Sequence, residues 1–159
     1  MSYTNADGLY TITHGDQGTV RTNGVIKADA RKTLVWEIAD ATALATSAAT
    51  PTVNDAYIPA NALITSAYFI VETGFTSGGS GTLGLGLYEK DGTVIDADGI
   101  DAAVAKTAID TVGEAVACDG ALVDGTATVG TADAYVGALY ATAAFTAGAG
   151  KLVIEYIEV

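Results

Sequence analysis

Enzymatic chemistry needs ionisable or nucleophilic side chains that can converge, and this sequence offers few. It has one histidine, His14, and one cysteine, Cys118. His14 lies in the run His14-Gly15-Asp16-Gln17-Gly18, a turn composition, and reads as a solvated loop residue rather than a proton-transfer group. Cys118 stands between Ala117 and Asp119 with no basic neighbour to lower its pKa, so it reads as a small buried hydrophobe rather than a nucleophile. One His and one Cys exclude a Cys/His metal centre within a single chain. The densest set of oxygen ligands is Asp91, Asp96, Asp98 and Asp101. Calcium takes carboxylate and carbonyl oxygens from a flexible loop, which makes Asp96, Asp98 and Asp101 a calcium candidate. The segment lacks the glycine and distal glutamate of an EF-hand loop, and turn formation with helix capping by Asp98 accounts for the same residues. The glycine-rich run Ser77-Gly78-Gly79-Ser80-Gly81 has no lysine and no helix after it, so it is no phosphate cradle. Nothing calls for a cofactor, and the reading is non-enzymatic.

The composition agrees. Charged residues make up 16% of the chain and hydrophobic residues 50%, against about 25% charged in ordinary soluble domains. The surface is therefore expected to be Thr, Ser, Gly and Ala, which is easily buried against partners. With 19 acidic and 7 basic residues the net charge is −12, which repels nucleic-acid phosphates and anionic membranes. Four of the seven basic residues, Arg21, Lys27, Arg31 and Lys32, lie close together near the start. The single cysteine allows no intrachain disulfide. Residues 1–10 have neither the basic nor the apolar region of a secretory signal, and no apolar run is long enough for a transmembrane helix.

The elements that would position any site are strands. Length fits one domain with or without an arm. Residues 1–30 read as an N-terminal arm or edge hairpin, with a strand over Leu9 to Thr13 and turns at His14–Gly18 and Thr22–Gly24; residues 31–159 read as a β-sandwich domain. Lys32 to Ile38 alternates, with Leu34, Trp36 and Ile38 on one face. Asp40 to Asn54 reads as a loop with one helical turn near Ala41 to Ala45. Ala62 to Thr73 is apolar on both faces, which predicts a central strand covered on both sides. Residues 77–81 read as a hairpin turn into Thr82 to Tyr88, where Leu83, Leu85 and Leu87 alternate with Gly84 and Gly86. Glycine in a strand wants close packing against it. After a turn at Glu89-Lys90-Asp91-Gly92, Thr93 to Ile95 reads as a strand and Asp98 to Ile109 as one short helix. Further strands are expected over Ala115–Val123, Ala127–Val129, Ala134–Ala143 and Lys151–Glu158, the last entered by a turn over Thr146–Gly150. The fold class is all-β: an antiparallel, jelly-roll-like sandwich with one short helix.

Three stretches carry a resemblance. Residues 58–65 (IPANALIT), 70–76 (IVETGFT) and 81–86 (GTLGLG), with the closing residues 146–156 (TAGAGKLVIEY), resemble a strand–hairpin–strand module and last strand of small structural proteins of tailed bacteriophages. The likeness covers about half the chain. It implies a capsid decoration or cement protein on the virion surface, jelly-roll-like and oligomeric, with the major capsid protein as partner. A homotrimer is the expected assembly, since the two-faced apolar strand and the Gly84/Gly86 face ask for cover. The basic residues Arg21, Lys27, Arg31 and Lys32 are the expected capsid contact, reaching from the arm to an acidic shell. The alternative reading is a carbohydrate- or receptor-binding β-module of a phage fibre or cell surface.

Overall fold

A computed structural model describes residues 12–13, 25–26, 31–46 and 56–159. The chain divides into two compact units, Met1–Ala30 and Arg31–Val159. In the first, β1 (Ile12–Thr13) pairs antiparallel with β2 (Val25–Ile26), Ile12 opposite Ile26. The turns expected at 14–18 and 22–24 lie outside the described residues.

Among its described residues the second unit holds nine strands: β3 (Arg31–Ile38), β4 (Ala45–Thr46), β5 (Tyr57–Ile58), β6 (Leu63–Ser77), β7 (Thr82–Tyr88), β8 (Val94–Ala105), β9 (Ala115–Ala117), β10 (Ala134–Ala141) and β11 (Phe145–Ile157). They form two sheets. One runs β3-β11-β6-β9; the other runs β4-β10-β7-β8, with β5 also on β10. Every long pairing is antiparallel, and only the two-residue β4–β10 contact is parallel. Counting β4 and β5 as one broken strand, the chain fills the two sheets in the order of a jelly roll, so the expected fold class holds.

The core lies between the sheets. From one side come Trp36, Leu152 and Phe69, aligned across β3, β11 and β6; from the other come Leu83, Leu85, Leu87 and Val136. Phe75 sits between Phe69 and Phe145, at ring-centroid distances of 5.6 and 5.2 Å with edge-on geometry. Its ring lies where a side chain on Gly148 would go, 2.6 Å from the ideal Cβ. Gly148 (φ +145°) is part of β11, so residues 146–150 are irregular strand rather than the expected turn.

Four further sequence expectations are corrected. The short helix is absent: Asp98 to Ala105 belongs to β8, and only 3-10 turns at Ala41–Ala43 and Lys106–Ala108 are helical among the described residues. Bulges explain the error. Leu85 pairs with Asp101 but Leu87 with Asp96, so β8 carries extra residues there. Each extra residue switches the side of the sheet, so Ile100 and Asp101 are both buried, Ala102 and Ala103 are both exposed, and the two-residue rhythm is lost. Second, residues 77–81 are no hairpin. They carry the chain from one sheet to the other, β6 and β7 being in different sheets. The true hairpin follows β7, where Glu89 N–H donates to the Thr93 carbonyl (2.7 Å) and Gly92 has φ +88°. Third, Ala115–Val123 is strand only to Ala117, and residues 127–129 supply a single bridge, Thr128 to Leu63. Fourth, β6 is not covered on both sides. A bulge at Thr65, between the pairs Ile64–Tyr156 and Ser66–Glu155, puts Ile64 and Ala67 both on the core face, while Tyr68 and Ile70 remain 47% and 40% exposed.

Candidate binding surface

The ionisable groups do not build a catalytic centre among the described residues. Burial pushes the Cys118 thiol up to about 12, with the charges of Asp101 and Asp119 adding to the effect; such a thiol is a poor nucleophile. Asp101 is 7% exposed and its Oδ1 accepts from the Ala103 N–H at 3.0 Å. Burial raises its pKa, the Ala103 N–H draws it back, and the Asp119 charge raises it again. Asp91, Asp96 and Asp124 each accept the N–H two residues on, from Thr93 (2.9 Å), Asp98 (3.3 Å) and Thr126 (2.9 Å). These are Asx turns, the local bond that lets Asp replace a backbone acceptor. Asp98 thus belongs to a strand bulge and caps no helix. Asp96 and Asp98 share this exposed turn, whereas Asp101 is buried opposite Leu85. No three His, Cys, Asp or Glu side chains are placed to hold a metal ion among the described residues.

Of the basic residues singled out above, Arg21 and Lys27, like His14, lie outside the described residues. Arg31 and Lys32 open β3 and pair across to the last strand: Arg31 Nη1 to Glu155 Oε2 at 3.2 Å and Lys32 Nζ to Glu158 Oε1 at 2.6 Å. Lys151 pairs with Glu72. The strands β3, β11, β6 and β9 together carry three basic and three acidic residues (Arg31, Lys32, Lys151; Glu37, Glu72, Glu155). That sheet is therefore neutral on a strongly acidic protein.

The outer faces of the two sheets differ. The face of β7 that bears Gly84 and Gly86 is covered by the chain itself at Gly86, while Gly84 lines an open groove with Ala102 and Tyr140. The backbone of Ala97, in the β8 bulge, lies so close that a Cβ on Gly86 would meet Ala97 O at 2.3 Å, and Ala102 O is 3.5 Å from the Cβ position of Gly84. The close packing expected of these glycines is intramolecular at Gly86 and absent at Gly84. Tyr88, on the same face, is 1% exposed and its hydroxyl has no hydrogen-bond partner. Burial raises its pKa, and the charges of Asp98 and Asp96 raise it further.

The outer face of the neutral sheet is open. Val35, Val153, Tyr68 and Ala117 stand in one row across β3, β11, β6 and β9, with Ile70 beside them. At the far edge the row ends in a groove. The last bond of β9 to β6 is the Cys118 N–H to the Ala67 carbonyl, 3.0 Å. The chain then turns away because Gly120 packs on β8: its N–H donates to Ile100 O at 2.8 Å, and its Cβ position is 2.5 Å from Gly99 backbone. It rejoins β6 only where the Val129 N–H meets Ala62 O at 2.9 Å. Between these points the edge of β6 at Thr65 and Ser66 has no strand partner on that side among the described residues. The gap is a groove of about 350 Å³ walled by Ala67, Tyr68 and Val123, with Asp119 and Asp124 at its lips. Both carboxylates are exposed, and the N–H and hydroxyl of Thr126 hold Asp124 below the usual carboxylate pKa. The sequence reading missed this groove. In the sequence only the turn-forming pairs Asp119-Gly120 and Asp124-Gly125 mark it.

The chain matches no protein-family model and no curated protein sequence. Solved structures do match. A chain in the capsid of Ralstonia phage GP4 is similar over 90% of this chain and 94% of its own, with 19% identity and a TM-score of 0.57. A chain in the capsid asymmetric unit of cyanophage Pam1 is similar over 92% and 98%, with 16% identity and a TM-score of 0.58. Nearly the whole of each matched capsid chain is taken in, and at this identity the likeness is one of fold.

Proposed function

We propose that this chain is a non-enzymatic structural protein of a tailed-phage virion, a decoration or cement protein that binds the major capsid protein on the outer shell as a homo-oligomer, with a trimer as the expected state. The observation that carries the reading is the fold likeness, over 90% and 92% of this chain, to chains in two phage capsids. The sparse charge, the self-paired ions of one sheet and its open apolar row fit a protein whose work is contact. A cement protein does no chemistry. It binds the assembled shell and not the free subunits, and so shifts assembly by mass action, with many symmetric weak contacts acting together. Arg21 and Lys27 are the proposed contacts to the shell.

The test is co-sedimentation of the purified protein with assembled shells and with dissociated capsid subunits, alongside its copy number in purified particles by mass spectrometry. The expected result is saturable binding to shells alone and a copy number in the hundreds, on the order of a shell lattice. Binding to neither form, or a copy number of a few per particle as for a fibre module, overturns it.

A further inference from the structure

Two patches on opposite edges of one sheet have matching chemistry. At one edge Arg31 and Lys32 open β3. At the other is the groove with Asp119 and Asp124 at its lips and Tyr68 on its wall. They lie at nearly the same height along the strands: Arg31 is level with Ile157 and Leu63, and the groove floor at Thr65 and Ser66 is level with Glu155 and Tyr156. We infer that copies of this chain join head to tail, the Arg31 end of β3 in one copy seating in the groove beside β6 of the next. The inference rests on the proposed homo-oligomer and names its contact.

Charge decides the occupant. At −12 per chain two copies repel over most of their surface, so a contact that pairs a cation with carboxylates is favoured over one that brings acids together. The groove asks for a cation that also has apolar length, because its walls are Ala67, Tyr68 and Val123 and its lips are carboxylates. An arginine lays its stem along such walls and its guanidinium over the tyrosine face. Arg31 is available for exchange. Its pair with Glu155 is a surface pair, the side chains 67% and 36% exposed, and such pairs hold weakly. In the groove the same cation meets two carboxylates with less water between. A donor patch and an acceptor patch that differ make a heterologous contact, which repeats around a closed ring. The apolar row from Val35 to Ala117 runs between the two patches and would be partly covered by the neighbour.

The test is sedimentation velocity on the full chain in low and high salt. The wild type is expected to form a closed oligomer that loosens as salt rises. Arg31→Ala, and separately Asp119→Asn with Asp124→Asn, are expected to weaken association roughly thirtyfold or more, the loss that follows removal of one partner of a desolvated charge pair. Both sites are exposed, and Asn keeps the acceptor of the Asp124 turn, so circular dichroism should show the wild-type fold. Mixing the two variants should give one-to-one dimers and nothing larger, because each keeps one intact patch. Arg31→Glu combined with Asp119→Arg in one chain should restore assembly. Variants that assemble as wild type does, or a mixture that yields no heterodimer, overturn the inference. A wild type that is monomeric in every salt also overturns it, while binding to assembled shells, scored separately, still decides the cement reading.

Discussion

Gly86 sits where β8 crosses β7, and it tests how tightly that crossing is built. A methyl group there would meet the Ala97 carbonyl oxygen at 2.3 Å and its carbon at 2.6 Å, both backbone atoms that cannot swing aside. Gly86→Ala is expected to destabilise by about 1–3 kcal/mol, the usual scale of overpacking. Gly78→Ala, where nothing lies within 4 Å, should stay within about 0.5 kcal/mol of wild type; calorimetric unfolding of the two variants makes the comparison. The Leu/Gly alternation of β7 was legible in the sequence, and so was the need for something to pack there. What packs was not, because the approach of Ala97 depends on a bulge that no local pattern announces. Asp101 gives a second residue-scale test. Its folded pKa lies above the ordinary 3.8, chiefly through burial. Below that value both folded and unfolded chains hold the proton and there is no penalty. As pH rises through it the unfolded chain ionises first, so stability falls until the folded group ionises too. Asp101→Asn keeps an acceptor for the Ala103 N–H and removes the charge. It should raise the Tm at neutral pH, with the advantage shrinking as pH falls toward 3.8. An advantage independent of pH would show that Asp101 does not act through its charge.

At the scale of elements, alternation identified β3 and β7 and the faces they turn to the core, and β10 as a strand. Trp36, Phe69, Leu85 and Ile154 are 6, 0, 0 and 0% exposed, as the alternating pattern led one to expect. Trp36 emission should therefore be blue-shifted and shielded from aqueous quenchers, and exposure to iodide in the native state would contradict the β3 register. Phe69→Ala should destabilise by about 3–5 kcal/mol, measured by chemical denaturation. The same alternation misled where bulges intervene. One extra residue at Thr65 moves Ile64 to the core face, and the extra residues of β8 put neighbours on the same side, Ile100 with Asp101 and Ala102 with Ala103. Period alone cannot separate a bulged strand from a short helix, since both break the two-residue rhythm. The sheet change after Ser77 was hidden for a different reason. A glycine-rich run permits a turn of any kind, and only the pairing of β6 with β11 and β7 with β10 shows which kind it is.

At the scale of the whole molecule the uneven placing of charge is the main functional signal. The cations of the second unit cluster on the neutral sheet, with Lys90 and Lys106 elsewhere, and its acids crowd the turns. Arg21 and Lys27 precede the boundary at residues 30 and 31 in the sequence. We propose that they carry the attachment to the shell, and the consequence can be tested without disturbing the sandwich. β3 begins at Arg31, and the core residues Trp36 to Tyr156 all follow it, so removing residues 1–30 leaves every strand of both sheets in place. The shortened chain should keep its β-type circular dichroism and a cooperative thermal transition. It should also keep the contact made by Arg31, and with it the oligomer. Its binding to assembled shells should fall to background. Arg21→Ala with Lys27→Ala should weaken shell binding in the same direction and flatten its dependence on salt, because fewer charges are then paired on binding. Wild-type occupancy by the shortened chain would remove the arm from the contact and leave the sandwich to make it. Loss of the cooperative transition would instead mean that the first thirty residues are needed for folding. The double-alanine variant, which keeps the chain whole, would then carry the test.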